Sequence, residues 1–222
     1  MPQFRIRQRA GPDDAAFIAA AFDSTLPHLA SIGSGKQWGT ELWSQKENFT
    51  KEVQAAIHQS EVNRTTGEGE YVRVLIAEVE GADLDGGSGS YREDETGEKL
   101  LMVGAAIIQK AFSPYLVSDP KCETIINEAN ARDDFIFLRA LASDFRTGSF
   151  RRGAGAALVD EIKMHARLLG KKAVYVDCWA GNDGKLVAFY ERQGFRVVAP
   201  FEIVQPDKPA WPGAFLRLDI AD

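Results

Sequence analysis

Apolar residues along this chain gather in short dense runs punctuated by glycine, proline and charge, the pattern of alternating strands and helices. Phe4-Arg5-Ile6-Arg7 alternates and predicts a first strand. Gly11-Pro12-Asp13-Asp14 is a turn and helix start, with proline and acids where the helix dipole prefers them. That helix runs through Phe17, Ile18, Ala21 and Phe22, and Pro27-His28-Leu29 is expected to interrupt it. A loop over 31–36 and the segment Gln37 to Trp43 lead to a helix from about Glu47 to Glu61. Tyr71 to Glu80, with Val72, Val74 and Ile76 on one face, predicts a strand, and the nearly unbroken apolar run Leu100 to Ile108 a central one. Between them, residues 81–98 read as a mobile hairpin extension whose acids keep it solvated. Residues 111–134, with Pro114 and Pro120, read as an irregular excursion holding a short helical patch near Glu123 to Glu128.

The second half is more regular. Phe135 to Ala142 is an apolar run suited to a buried strand, and Lys172 to Asp177 is another. Between them Leu158, Ile162, His165 and Leu169 recur at helical period, with Asp160, Glu161, Lys163 and Arg167 on the other faces and Gly170 placed for a left-handed C-terminal cap. A further helix passes through Leu186, Phe189 and Tyr190 and closes at Gly194-Phe195. The order strand, glycine turn, helix, strand predicts that the strands around Leu138 and Val176 are parallel neighbours. Phe201 to Val204 and Ala214 to Leu218 are expected as the last strands, joined through Pro206, Pro209 and Pro212. No repeat or linker divides the chain, so a single α/β domain over 1–222 is expected.

Composition narrows the function. The chain has 222 residues, 45% of them hydrophobic, enough for a sizeable core. A net charge of −6 argues against nucleic-acid binding and suits a site that attracts cationic amines. Two cysteines, Cys122 and Cys178, suggest neither a disulfide framework nor a zinc site. Met1 to Arg7 lacks the apolar run of a signal peptide, and no run reaches the roughly 20 residues of a membrane helix. A cytoplasmic compartment is therefore expected, with no membrane partner. Oligomeric state is not legible.

The chemistry concentrates at Arg151-Arg152-Gly153-Ala154-Gly155-Ala156. Glycines opening a helix let backbone N–H groups approach a ligand at the positive end of the dipole, which makes an anion cradle. A Walker loop would need Gly-Lys-Ser/Thr, absent here, and a Rossmann fingerprint a third glycine where Leu158 stands. The remaining features are Asn182 after the next strand and Phe189-Tyr190-Glu191-Arg192-Gln193-Gly194-Phe195 closing the following helix. With them, residues from about Asp134 to Val198 resemble the GNAT acyltransferase superfamily.

That resemblance implies the GNAT fold: a mixed, mostly antiparallel central sheet with one splayed parallel pair, flanked by helices. It also implies acetyl-coenzyme A as co-substrate and no metal. The implied cofactor contacts are Leu141, Ala142, Arg151, Arg152, Gly153, Ala154, Gly155, Ala156 and Asn182. Tyr190 takes the place of the acid that meets the leaving thiolate. The departures are Phe150, where the family has Arg or Gln, and a longer turn over Ser143–Ser149. Trp38, Glu41 and Trp43 fall where the acceptor wall is expected, although two tryptophans packing a helix pair would look the same. Asp177 leads the candidates for general base, ahead of Glu41, Asp134 and His28. His165 reads as a core histidine and His58 as a solvated one. Cys178, beside Asp177 and Trp179, lacks the histidine or positive setting of a nucleophile and reads as pocket lining. Trp179 either stacks on the acceptor or caps the core. The expected activity is acetyl transfer to a small-molecule amine by direct attack in a ternary complex. A protein or peptide amine, or an acyl-coenzyme A sensor without turnover, is the alternative.

Overall fold

A computed structural model describes residues 3–11, 13–81, 88–204 and 209–221. Eight strands form one sheet: β1 (Phe4–Arg7), β2 (Val72–Glu80), β3 (Ser90–Glu93), β4 (Lys99–Gln109), β5 (Phe135–Ser143), β6 (Ala173–Trp179), β7 (Arg196–Ile203) and β8 (Trp211–Asp219). Their order is β1-β2-β4-β5-β6-β8-β7, with β3 on the edge of β4 that β5 leaves free. Among the described strands the pairing is antiparallel except between β5 and β6, where Phe135–Leu138 lie parallel to Ala173–Val176. The crossover order read from the sequence gives this pair.

Strand alternation divides the core between the faces of the sheet. On β2, Val72, Val74 and Ile76 pack with Phe17, Ile18 and Val53 from α1 (Asp14–Ser31) and α2 (Glu47–Thr66). Leu75, Ala77 and Val79 face the other way, onto Leu158 and Ile162 of α5 (Ala154–Leu168). Both faces of β2 are buried, so it is a central strand covered on both sides. The α5 stripe is Leu158, Val159, Ile162, His165 and Ala166. Leu169, expected on it, lies past the helix end and is exposed. His165 is buried against the Tyr71 hydroxyl, as a satisfied core histidine should be. Gly170 takes φ +65° after the last turn of α5.

Several elements differ from expectation. Pro27 does not interrupt α1, which continues to Ser31. Packing of Phe22 and Leu26 holds the helix, and the Ser24 and Thr25 hydroxyls donate to the carbonyls of Ala21 and Phe22 in the turn ahead of the proline. Pro12 and Pro206 lie outside the described residues, and Pro212 is inside β8. α2 runs five residues past the expected end, to a left-handed Gly67. The excursion over 111–134 is regular: α3 (Pro114–Val117) leads into the 13-residue α4 (Pro120–Arg132). The Asp119 side chain accepts from the Lys121 amide, Pro120 occupies the first turn, and Cys122, Ile126 and Ala129 bury its inner face. α3 and α4 cover an aromatic cluster of Phe112, Phe135, Phe137, Tyr175 and Phe215.

In the 81–98 segment, residues 82–87 lie outside the described residues, but 90–93 form β3. Its acids do more than solvate it. Asp94 pairs with Arg5 at 2.8 Å and caps its own turn through Thr96 and Glu98. Arg92 and Arg7 both bind the fully buried Glu78, and Arg7 also grips Asp14 at the start of α1. Among the described residues no helix is long and apolar enough to cross a membrane.

Candidate active site

The site begins with one extra residue. β4 and β5 pair in register up to Ile108–Leu138 and resume at Ile107–Ala140, which leaves Arg139 as a bulge on β5. A bulge bends its strand and breaks pairing locally. β5 stops pairing with β6 at Leu138–Val176 and follows β4 through Leu141–Ala106 and Ala142–Ala105. β6 meanwhile follows β8 through Asp177–Phe215 and Cys178–Ala214. The parallel pair therefore opens into a V between Arg139–Ser143 and Asp177–Trp179.

A cleft of ≈ 440 Å³ occupies this opening. Leu141, Asp177, Cys178, Trp179 and Tyr190 line it, with Tyr190 from α6 (Lys185–Arg192). Trp38 and Trp43 close the opposite wall. Trp38 stacks on Phe22 at 4.9 Å and meets Trp43 edge-on at 5.7 Å, so the two tryptophans both pack the helix pair and face the cleft. Trp179 is buried and lines the cleft as well, and Cys178 lines it as expected.

Asp177 and Tyr190 come together here as titratable groups of the cleft. Burial raises Asp177 to about 6, against the hydrogen bond that the Tyr115 hydroxyl donates to its Oδ2 at 3.0 Å. Burial likewise raises Tyr190, helped by the thiol of Cys178 and the carboxylate of Asp177. Burial, then the same carboxylate, pushes Cys178 up to about 12, which leaves it protonated and a poor nucleophile. Sequence reasoning missed Tyr115. It lies on α3, inside the segment read as irregular, so nothing in the local pattern aimed it at Asp177.

The other proposed bases are elsewhere. Glu41 borders a neighbouring open groove with Glu47 and Glu52 rather than this cleft. Asp134 precedes β5 at its far end, where its carbonyl accepts from the Lys172 amide. His28 stacks on Phe145 at 4.4 Å, and burial and the nearby Arg151 charge lower its pKa.

Beyond the arms of the V stands the start of α5. Gly153 takes φ +96°, a conformation that favours glycine, and the first intrahelical bond runs from the Ala157 amide to the Gly153 carbonyl. The amides of Ala154, Gly155 and Ala156 thus precede any intrahelical acceptor and point out of the helix end. Arg151 lies with its guanidinium 3.5 Å over the Phe145 ring, and its Nε is buried with no partner. Burial and then the adjacent Arg152 charge lower its pKa, so two like charges are held near each other. An anion at this helix end would relieve that repulsion, meet the free amides and align with the dipole, so these residues fit a pyrophosphate. Gly155 sets the distance to the cleft: a Cβ there would meet Phe189 at 3.4 Å, the residue before Tyr190.

Ala142 is buried one residue past Leu141. Asn182 stands in the loop after β6. It adopts φ +52°, and its Nδ2 donates to the Ile32 carbonyl and the Ser34 hydroxyl at 2.8 and 2.6 Å. Its amide ties down the loop that carries Trp38.

No family model and no curated protein matches this chain. Solved structures do. A candidate GNAT-family acetyltransferase from Desulfovibrio desulfuricans aligns at 17% identity over 99% of this chain and 100% of its own, TM-score 0.54. The yncA protein of Salmonella typhimurium, solved with acetyl-CoA, aligns at 16% identity over 99% and 95%, TM-score 0.56. The ribosomal-protein-S18-alanine N-acetyltransferase of Escherichia coli aligns at 15% identity over 99% and 96%, TM-score 0.53. The chain has the GNAT fold.

Proposed function

We propose that this chain is an acetyl-coenzyme A-dependent N-acetyltransferase acting on the amine of a small molecule. The observation that carries the reading is convergence: the opening between β5 and β6 holds Asp177 and Tyr190 in one cleft, with an unmet anion site at the start of α5 beside it. When bound, the coenzyme supplies an acyl thioester. Arg151, Arg152 and the amides of Ala154–Ala156 hold its pyrophosphate, and backbone N–H near Leu141 and Ala142 polarises the acyl oxygen.

A lysine-like amine with pKa about 10.4 needs roughly 4–5 kcal/mol to lose its proton at neutral pH, and an α-amine about 1 kcal/mol. Asp177, ionised above about 6, takes that proton to free the lone pair, the neutral nitrogen then attacks, and the second N–H proton leaves to solvent as the amide forms. Tyr190, kept neutral by burial, returns a proton to the departing sulfur. Cys178 takes no covalent part, so attack is direct, within one ternary complex.

The test is release of free thiol from acetyl-coenzyme A across a panel of amines and short peptides. Turnover with a small amine is the expected result. Turnover with peptides alone would move the acceptor to proteins, and tight coenzyme binding without any turnover would leave a sensor.

A further inference from the structure

This chain has four tryptophans, and all four line the Asp177 cleft: Trp38, Trp43, Trp179 and Trp211. They arrive from the segments around α1 and α2, from β6 and from β8, so no local pattern collects them. Trp43 continues onto Phe49 at 4.8 Å, extending the aromatic wall begun by Phe22 and Trp38. The wall is held from behind, with the Trp211 Nε1 donating to the Gln37 carbonyl at 2.9 Å. The indole Nε1 atoms of Trp43 and Trp179 are buried with no partner, so the two rings meet the cleft through their apolar faces and not through a hydrogen bond.

Charge in the cleft is scarce and mostly used. Its carboxylates are Glu52 and Asp177, against one guanidinium, Arg139. Arg139 and Glu52 are paired with each other. Asp177 is the carboxylate of the cleft without a guanidinium partner, while Glu41 and Glu47 lie in the adjoining groove beyond Trp43 and Phe49. A polyamine or aminoglycoside would bring several ammonium groups into a wall that can partner one of them, and each unpartnered charge is costly. An aromatic ring with a single amine fits both halves of the wall, and its ammonium form is also attracted to indole faces on entry.

We propose that the acceptor is an arylalkylamine: a monoamine whose ring lies among Trp38, Trp43 and Phe49 while its nitrogen reaches Asp177. This rests on the transferase reading above. The chemistry is unchanged: Asp177 takes one proton from the ammonium, the N–C bond forms, the C–S bond breaks, the second nitrogen proton goes to solvent water and the Tyr190 proton to the thiolate, with Tyr190 reprotonated from Asp177 through water.

The tryptophans make the test direct. Purified full-length protein is titrated with 2-phenylethylamine, butylamine, spermidine, kanamycin and an alanyl peptide, following intrinsic fluorescence and, with acetyl-coenzyme A present, thiol release. Phenylethylamine is expected to quench at least about tenfold more tightly than butylamine or spermidine, and to lead in kcat/KM. Trp38→Leu should lower kcat/KM for phenylethylamine about tenfold with coenzyme A affinity and melting kept, and Trp38→Phe should restore most of it. Quenching by phenylethylamine with no turnover of any amine would keep this inference and retire the transferase reading. Failure of phenylethylamine to bind, or a higher kcat/KM for spermidine, kanamycin or the peptide, would overturn it whatever the turnover.

Discussion

At the scale of the residue, catalysis and stability pull against each other at Asp177. A carboxyl raised from 3.8 to about 6 by burial is more stable neutral than charged in the fold. The stabilisation of the neutral form is therefore complete at low pH and is lost as pH rises through about 4 to 6. Two units correspond to about 3 kcal/mol, discounted here because Asp177 is only half-buried at a cleft wall. Asp177→Asn keeps an oxygen for the Tyr115 hydroxyl and removes the charge. We expect it to raise stability at pH 8 by on the order of 1–2 kcal/mol, to gain little at pH 4, and to lose most turnover. The rising limb near pH 6 in wild-type kcat/KM should vanish with it. Thermal melts at both pH values and a pH–rate profile check all three. Tyr190→Phe tests the other end of the transfer: kcat should fall on the order of 10²-fold with coenzyme affinity and melting little changed. Near-normal turnover would leave Tyr190 as packing against Phe189 and Phe195.

At the scale of the element, the start of α5 is where sequence and structure agree best, because its signals are local. Glycines, a periodic stripe and a capping Gly170 all act within a few residues of themselves. The substitution that most obviously tests the cradle is nevertheless a poor probe. A side chain at Gly153 would be strained at φ +96° and would meet Phe4 at 3.2 Å, and one at Gly155 would crowd Phe189. The cations are cleaner. Arg152 is exposed, and its charge opposes that of Arg151. Arg152→Ala should weaken coenzyme A binding about fivefold to tenfold, more so at low salt, while melting stays equal or rises slightly. Calorimetry at two ionic strengths decides it. Asn182 shows where locality fails. Its position after β6 was legible, but its partners Ile32 and Ser34 lie about 150 residues away, and no window of sequence connects them. Tyr115 and the Arg139 bulge were hidden for the same reason, since a bulge is a property of two strands.

At the scale of the whole molecule, the sequence carried the sheet, the parallel pair and the glycine-led start of α5, and lost what long-range ion pairs build. The 81–98 segment looked solvated because its charges have no periodicity, yet β3 places Arg92 on Glu78, which no solvent reaches. That carboxylate is held by two guanidiniums, Arg92 from β3 and Arg7 from β1, and Arg7 in turn fixes Asp14 at the head of α1. Three elements far apart in sequence are thus joined through one buried charge. Removing a partner from a buried pair costs about 3–5 kcal/mol when the remaining charge is left alone. Here Arg7 stays paired with Glu78, so Arg92→Ala should cost less, about 2–3 kcal/mol, and Glu78→Gln in the same background should deepen the loss by breaking that remaining pair. Deletion of 83–88 spares β3 and should leave melting and coenzyme A affinity near wild type. Deletion of 83–96 takes β3, Arg92 and Asp94 together and should lower melting sharply, with affinity falling only as folded protein is lost. Denaturant melts of the four variants check the ordering, and a Glu78→Gln that recovers stability in the Arg92→Ala background would show that the buried network does not work this way.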